Sequence, residues 1–183
     1  MKIQSLLLSS LLLLGVAPIP PASTQQEICR DEFEIEPSDN LRTLELPQFG
    51  IDIDIPANYR AIALNDGSVT IYDPGTYEII ACLHRGGIAS VPRGIRSFTI
   101  NLVGNPRNLP LPALIEQEEG AFQPRHRYNL SGTPVFVTEP PGIGISAWFA
   151  PPRARGVVSM YDSCECQPLD SDIFTRLNST RLR

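Results

Sequence analysis

The sequence predicts an all-β domain, built as an antiparallel β-sandwich or jelly-roll-like fold, with a small β-barrel as the alternative closure. Three observations predict it. Short runs alternate apolar and polar residues, an Asp-Gly dipeptide sits between two matched apolar runs, and 18 prolines with 13 glycines punctuate the chain of 183 residues too often for long helices.

The N-terminus comes first. Lys2 is followed by the apolar run Leu6 to Val16, broken only by Ser9, Ser10 and Gly15, and then by a Pro- and Ala-rich stretch ending near Ala22-Ser23. The order charged, apolar, small marks residues 1–22 as a cleaved secretory signal. The apolar run falls short of the roughly 20 residues that a spanning helix needs, and polar sequence starts at Thr24, so no membrane span is expected after cleavage. The expected address is outside the cytoplasm: periplasm, cell surface or medium. What is left, about 160 residues, suits one domain, divided into an N-terminal arm at 23–40, a β-rich domain at 41–169 and a C-terminal tail at 170–183. Lys2 is the only lysine, and its loss makes the formal charge of −5 one unit more negative. Acidic residues are spread through the chain, which argues against nucleic acid as a partner.

Along the domain, Ile51-Asp52-Ile53-Asp54-Ile55 alternates strictly and Pro56 ends it, the pattern of a half-buried strand. Ala61–Asn65 and Ser68–Tyr72 flank Asp66-Gly67, which predicts a hairpin with a two-residue type I′ turn. Leu64 then faces Val69, and Ile62 faces Ile71. Asp73-Pro74-Gly75-Thr76 has the residues of a type II turn. A strand is expected after it, with Tyr77, Ile79, Ala81 and Leu83 on its apolar face in place of Glu78, Ile80, Cys82 and His84. Further strands are expected at Ile95–Val103, at Tyr128–Ser131, at Val135–Thr138 after a Gly-Thr-Pro break, at Ile143–Ala150 and at Gly156–Tyr161. Between them, Leu109–Glu119 has room for one or two helical turns closed by Gly120. The tail from Asp170 suggests a short C-terminal helix, with Asp170, Ser171 or Asp172 as cap.

The four cysteines, Cys29, Cys82, Cys164 and Cys166, are expected to form disulfides, because the chain leaves the reducing cytosol. Pairing Cys164 with Cys166 needs a strained bridge over one residue. The preferred frameworks therefore tie Cys29 and Cys82 separately to the Cys164–Cys166 segment, and reduction is expected to destabilise the domain severely. An alternative takes Cys82, His84, Cys164 and Cys166 as metal ligands or redox thiols, since i and i+2 on a strand share a face.

Few groups suit catalysis. His84 and His126 are the only histidines, Gly144-Ile145-Ser146-Ala147-Trp148 lacks the second glycine of a nucleophile elbow, and a lysine-free mature chain cannot form a P-loop. The carboxylate pairs Asp52/Asp54, Glu34/Glu36 and Asp170/Asp172 keep open a carboxylate-dependent extracytoplasmic hydrolase. Two loops suit recognition better. Trp148-Phe149-Ala150-Pro151-Pro152-Arg153-Ala154-Arg155 joins two aromatics and two arginines on a proline-stiffened turn, and Arg125-His126-Arg127 is a second basic patch. The expected function is a non-enzymatic binding or assembly module for an extracytoplasmic protein or glycan, with no cofactor and with Trp148, Phe149, Arg153, Arg155, Arg125 and Arg127 as contacts. Asn129-Leu130-Ser131 and Asn178-Ser179-Thr180 match glycosylation sequons.

Overall fold

A computed structural model describes residues 27–30, 35–90, 96–120, 126–139, 144–163 and 173–183. In chain order the described elements are β1 (Ile28–Arg30), β2 (Leu41–Leu46), β3 (Ile51–Pro56), β4 (Arg60–Ala63), β5 (Val69–Tyr72), α1 (Pro74–His84), β6 (Ile88–Ser90), β7 (Phe98–Val103), α2 (Leu111–Glu119), β8 (His126–Leu130), β9 (Thr133–Thr138), β10 (Ile145–Phe149), β11 (Val157–Asp162), α3 (Ile173–Asn178) and β12 (Thr180–Leu182). Two antiparallel sheets dominate. One has seven strands in the order β4-β5-β7-β11-β10-β9-β8, and the other has three, β12-β3-β2. Both orders are open at each end, so the barrel alternative does not hold. A short parallel pair, β1 with β6, stands apart.

The main core lies between the two antiparallel sheets because each strand turns alternate residues inward. Ile51, Ile53 and Ile55 of β3 are fully buried, as their alternation predicts. They meet Val69 and Ile71, Phe98 and Ile100, Val135 and Val137, Ile145 and Phe149, and Val158 and Met160 from the larger sheet, with Ile173 and Leu177 of α3 closing one end. Burying each such side chain contributes about 1.5–3 kcal/mol. The tail at 170–183 supplies α3 and also β12, whose Thr180 pairs with Ile53.

Three expectations are corrected. The β4–β5 hairpin slips by one residue: Ala61 faces Ile71, and Ala63 faces Val69. Its loop has three residues, with Leu64 N–H donating to Ser68 O (2.8 Å), Gly67 N–H donating to Leu64 O (3.0 Å) and Gly67 at φ +86°, a turn followed by a bulge residue in the left-handed region. The Asp66 carboxylate fixes it by accepting from both Ser68 N (2.9 Å) and Ser68 Oγ (2.6 Å). Asp-Gly serves either loop length, and here the longer one turns Leu64 outward, 42% exposed.

Asp73-Pro74-Gly75-Thr76 starts a helix instead of a turn and strand. Asp73 is the N-cap, accepting from Thr76 N (2.9 Å) and Thr76 Oγ1 (2.6 Å), and Pro74 takes the first helical position, where its missing N–H costs nothing. Ile79 and Cys82, three residues apart on the helix, then face the same side.

Cys82 is bonded to Cys29, a separation of 53 residues, and not to the C-terminal segment. Helix α1 presents Cys82 to β1, which lies parallel to β6, so the two sulfurs meet in a small cluster with Ile79 and Leu83. Gly87 is required there, because a Cβ would stand 2.4 Å from Cys29 Sγ and 2.7 Å from Cys82 Sγ. Cross-linking a loop of this length stabilises by about 4 kcal/mol in a chain-entropy account. Cys164 and Cys166 lie outside the described residues.

Elsewhere the strands expected at Ile95–Val103, Tyr128–Ser131, Val135–Thr138, Ile143–Ala150 and Gly156–Tyr161 are found, with shifted ends, at Phe98–Val103, His126–Leu130, Thr133–Thr138, Ile145–Phe149 and Val157–Asp162. The supposed break before Val135 is a tight hairpin, with Ser131 (φ +49°) and Gly132 (φ +90°) as its two loop residues. Pro134 lies beyond the ladder between β9 and β10, whose last pair is Trp148 with Phe136, so its missing N–H leaves no gap there.

Candidate functional site

The outer face of the seven-stranded sheet, turned away from the main core, carries the residues of interest. Register sets them out in rows. Thr138 of β9 pairs with Ser146 of β10, Ser146 with Tyr161 of β11, Tyr161 with Thr99 of β7, and Thr99 with Thr70 of β5, which makes five hydroxyl residues in line across five strands. The next outward row runs Phe136, Trp148, Ser159, Asn101.

Helix α2 covers the apolar end of this face. Pro112 lies in its first turn and Gly120 closes it, as the sequence predicts. Leu114 and Ile115 pack on Phe136, Trp148 and Val157. Because α2 ends directly over the sheet, Glu119, its last residue, reaches Trp148: the indole Nε1–H donates to Glu119 Oε1 at 3.0 Å.

Three members of the hydroxyl row are buried, Thr138 at 0%, Ser146 at 3% and Thr70 at 3% exposure, and Tyr161 and Thr99 are half-buried. Thr70 and Thr99 share a hydrogen bond of 3.2 Å. By contrast, Thr138 Oγ1 and Glu119 Oε2 are buried with no hydrogen-bond partner among the described residues. A buried polar atom left unpaired costs about 1–3 kcal/mol, and such atoms in a folded protein mark a place where water, an ion or a ligand belongs. Tyr161 lies across Ser146 from Thr138 in register. Burial first, then the charges of Asp162 and Glu119, push its phenol above the ordinary tyrosine range, which keeps its hydroxyl a hydrogen-bond donor.

The three-stranded sheet carries the aspartates singled out in the sequence. Asp52 and Asp54 do share its outward face, but β12 brings arginines onto them. Arg181 grips Asp54 in a fork, Nη1 to Oδ2 at 2.5 Å and Nη2 to Oδ1 at 2.9 Å, and Thr43 Oγ1 adds a third donor at 2.7 Å. These bonds, Arg181 first and Thr43 second, lower the Asp54 carboxyl to about 2. Arg183 sits 3.2 Å from Asp52 and bonds Glu45 at 2.9 Å. Carboxylates tied this way are cross-strand struts, not an acid and base poised for hydrolysis.

The other expected residues scatter. Trp148 and Phe149 are buried on opposite faces of β10, Trp148 under α2 and Phe149 in the main core. Arg153 and Arg155 are exposed on the β10–β11 connection, with no ion pair among the described residues. Arg125 lies outside the described residues, as do the side chains of His126 and Arg127 and the carboxylates Glu34, Asp170 and Asp172. Of the metal set, Cys82 is locked in a disulfide and His84 is exposed at the end of α1, so Cys82 offers no thiolate. Among the described residues no three His, Cys, Asp or Glu side chains gather to hold a metal, and no helix is long and apolar enough to cross a membrane.

Sequence reasoning missed Glu119, Thr138, Ser146 and Tyr161. A signal was present: Ser146 and Thr138 sit in strands whose other residues are apolar on both faces, and a hydroxyl in such a strand is an enclosed one.

No protein-family model matches the chain, and no curated protein sequence matches it. Among solved structures, the cyanobacterial PsbP protein (CyanoP) of Synechocystis sp. is similar at 11% identity with a TM-score of 0.43, covering 78% of this chain and 92% of that one. A likeness that slight carries nothing about function from that protein to this chain.

Proposed function

We propose that the chain is an exported, non-enzymatic binding or assembly module, and that the outer face of the seven-stranded sheet beside α2 is its recognition surface. The observation that carries this is the pair of buried, unpartnered atoms, Thr138 Oγ1 and Glu119 Oε2, on a face where neighbouring hydroxyls are enclosed. Export is supported by the charged, apolar, small order of residues 1–22 and by a cross-link suited to an oxidising compartment. The partner class is an extracytoplasmic protein or glycan. Arg153 and Arg155, exposed on an acidic chain, offer a second contact region for an anionic part of the same partner.

The test uses the single tryptophan, which sits within the site. Amide and indole NMR resonances of the chain are followed while a panel of glycans and peptides is added. Binding at this surface moves the resonances of Thr138, Ser146, Tyr161 and the Trp148 indole together. Saturable shifts confined to other surfaces overturn the placement, and turnover in a broad hydrolase screen, lost on Asp52→Asn or Asp54→Asn, overturns the non-enzymatic reading.

A further inference from the structure

We infer that the group this face receives is a cationic hydrogen-bond donor, an ammonium or guanidinium, seated against Glu119 with Tyr161 and Thr138 beside it. The inference rests on the outer face being the recognition surface and adds the chemistry of what it takes.

Among the described residues Glu119 meets only half of its needs. Its Oε1 accepts from a neutral donor, the Trp148 indole, and its Oε2 is buried and unpartnered. No arginine or histidine pairs with it among the described residues. A carboxylate oxygen withdrawn from water without a donor or counter-ion is costly, and the same chain shows the usual remedy at Asp54, where Arg181 supplies both donors and charge. Glu119 is also the last residue of α2, so the partial negative charge of the helix C-terminus adds to its own.

That field selects among ligands. An anion is repelled. A neutral hydroxyl makes the hydrogen bond and leaves the charge unmatched. A metal ion lacks ligands, since no group of three suitable side chains collects here among the described residues. An ammonium or guanidinium supplies both the donor and the charge. Thr138 Oγ1, 0% exposed and unpartnered, accepts a second N–H, and Tyr161, directly across Ser146 in register, bounds the site with an aromatic ring suited to a cation. The cation comes either from a free amine or from a Lys or Arg side chain of a protein partner.

The experiment titrates the chain, with its disulfide intact, with n-butylammonium, methylguanidinium, tetramethylammonium, butyrate and butanol at fixed ionic strength, following the Trp148 indole resonance. A saturable shift with n-butylammonium or methylguanidinium is expected, at least tenfold weaker with tetramethylammonium, which has no N–H, and absent with butyrate. Glu119→Gln keeps an acceptor for the indole while removing the charge, so the indole hydrogen bond persists in weaker form and the cation affinity falls at least tenfold. Thr138→Val lowers it about threefold. A Lys-containing peptide binding far more tightly than n-butylammonium assigns a protein partner as the source, and the reverse assigns a free amine. Equal affinity in wild type and Glu119→Gln overturns the inference. Shifts on this face with butanol or butyrate but not with the cations overturn it while leaving the recognition surface standing, whereas no shift from any probe or peptide removes both.

Discussion

The outward faces of the two sheets start from the same sequence logic and end differently. Each belongs to a sheet whose inward residues build the core, and each carries polar residues at alternate positions. On the three-stranded sheet Glu45, Asp52 and Asp54 each lie against Arg181 or Arg183, and Asp54 also accepts from Thr43 of β2, while Asp52 Oδ1 has the Arg183 charge at 3.2 Å without a hydrogen bond. On the seven-stranded sheet the row is uncharged, largely buried and incompletely paired among the described residues, with Glu119 arriving from a helix and no cation of the described residues matching it. Charged pairs that look like chemistry in a sequence are therefore struts when the next strand brings counter-charges. Hydroxyls that look like filler are the better candidates when no described residue completes them.

The largest expected effect tests whether Trp148 belongs to the framework beneath the surface. Trp148→Ala removes a large buried side chain from the α2 cluster and should cost about 4 kcal/mol in urea unfolding; full stability with impaired binding would make it an exposed contact instead. Glu119→Ala strands the indole N–H and should cost about 2 kcal/mol, while Glu119→Gln costs much less. A smaller and sharper contrast sets threonine against threonine. Thr138→Val deletes an unpaired buried hydroxyl and should be neutral or stabilising by up to about 1 kcal/mol, whereas Thr43→Val breaks a bond to Asp54 and should destabilise by a few tenths, roughly, as exposed polar pairs do. If both threonines behave alike, the difference between the faces disappears. The smallest effect is pH-dependent. With its native value lowered to about 2, Asp54 favours the fold above its unfolded value near 3.9, and that contribution is lost as the pH falls from about 4 to about 2. Asp54→Asn should flatten this leg of the acid-unfolding curve, and identical curves would show that the Arg181 fork adds nothing to stability.

How much of this was legible in the residues depended on where the deciding physics lay. The isoleucine alternation of β3 is a property of a strand by itself, so it could be read directly. Gly120 as the end of α2 was legible for the same local reason. Asp66-Gly67 permits two loop lengths, and the choice lies in a side-chain bond to Ser68 and in the burial of Val69 and Ile71 against distant strands. Asp73-Pro74 serves equally as a turn or as a cap with Pro at the first helical position, and the fourth residue, Thr76, whose N–H and hydroxyl both bond Asp73, was the overlooked cue. The cysteine pairing depended on α1 being a helix, so one misread element misplaced two bonds. Thr180-Arg181-Leu182 is too short to show any period, and the enclosed site is assembled by register between strands far apart in the chain.

The order in which the pieces emerge during synthesis follows from where their partners lie. Cys29, Cys82 and the Gly87 that makes room for them all precede β7 in the chain, so the staple needs nothing from the rest of the domain to close once the chain reaches an oxidising compartment. The middle strand of the smaller sheet waits much longer. One edge of β3 is filled early by β2, and the other stays vacant until Thr180–Leu182 arrives. Until β12 is made, β3 keeps one edge open, and Thr180–Leu182, with Arg181 and Arg183 latching onto Asp54 and Asp52, is the bolt that shuts it.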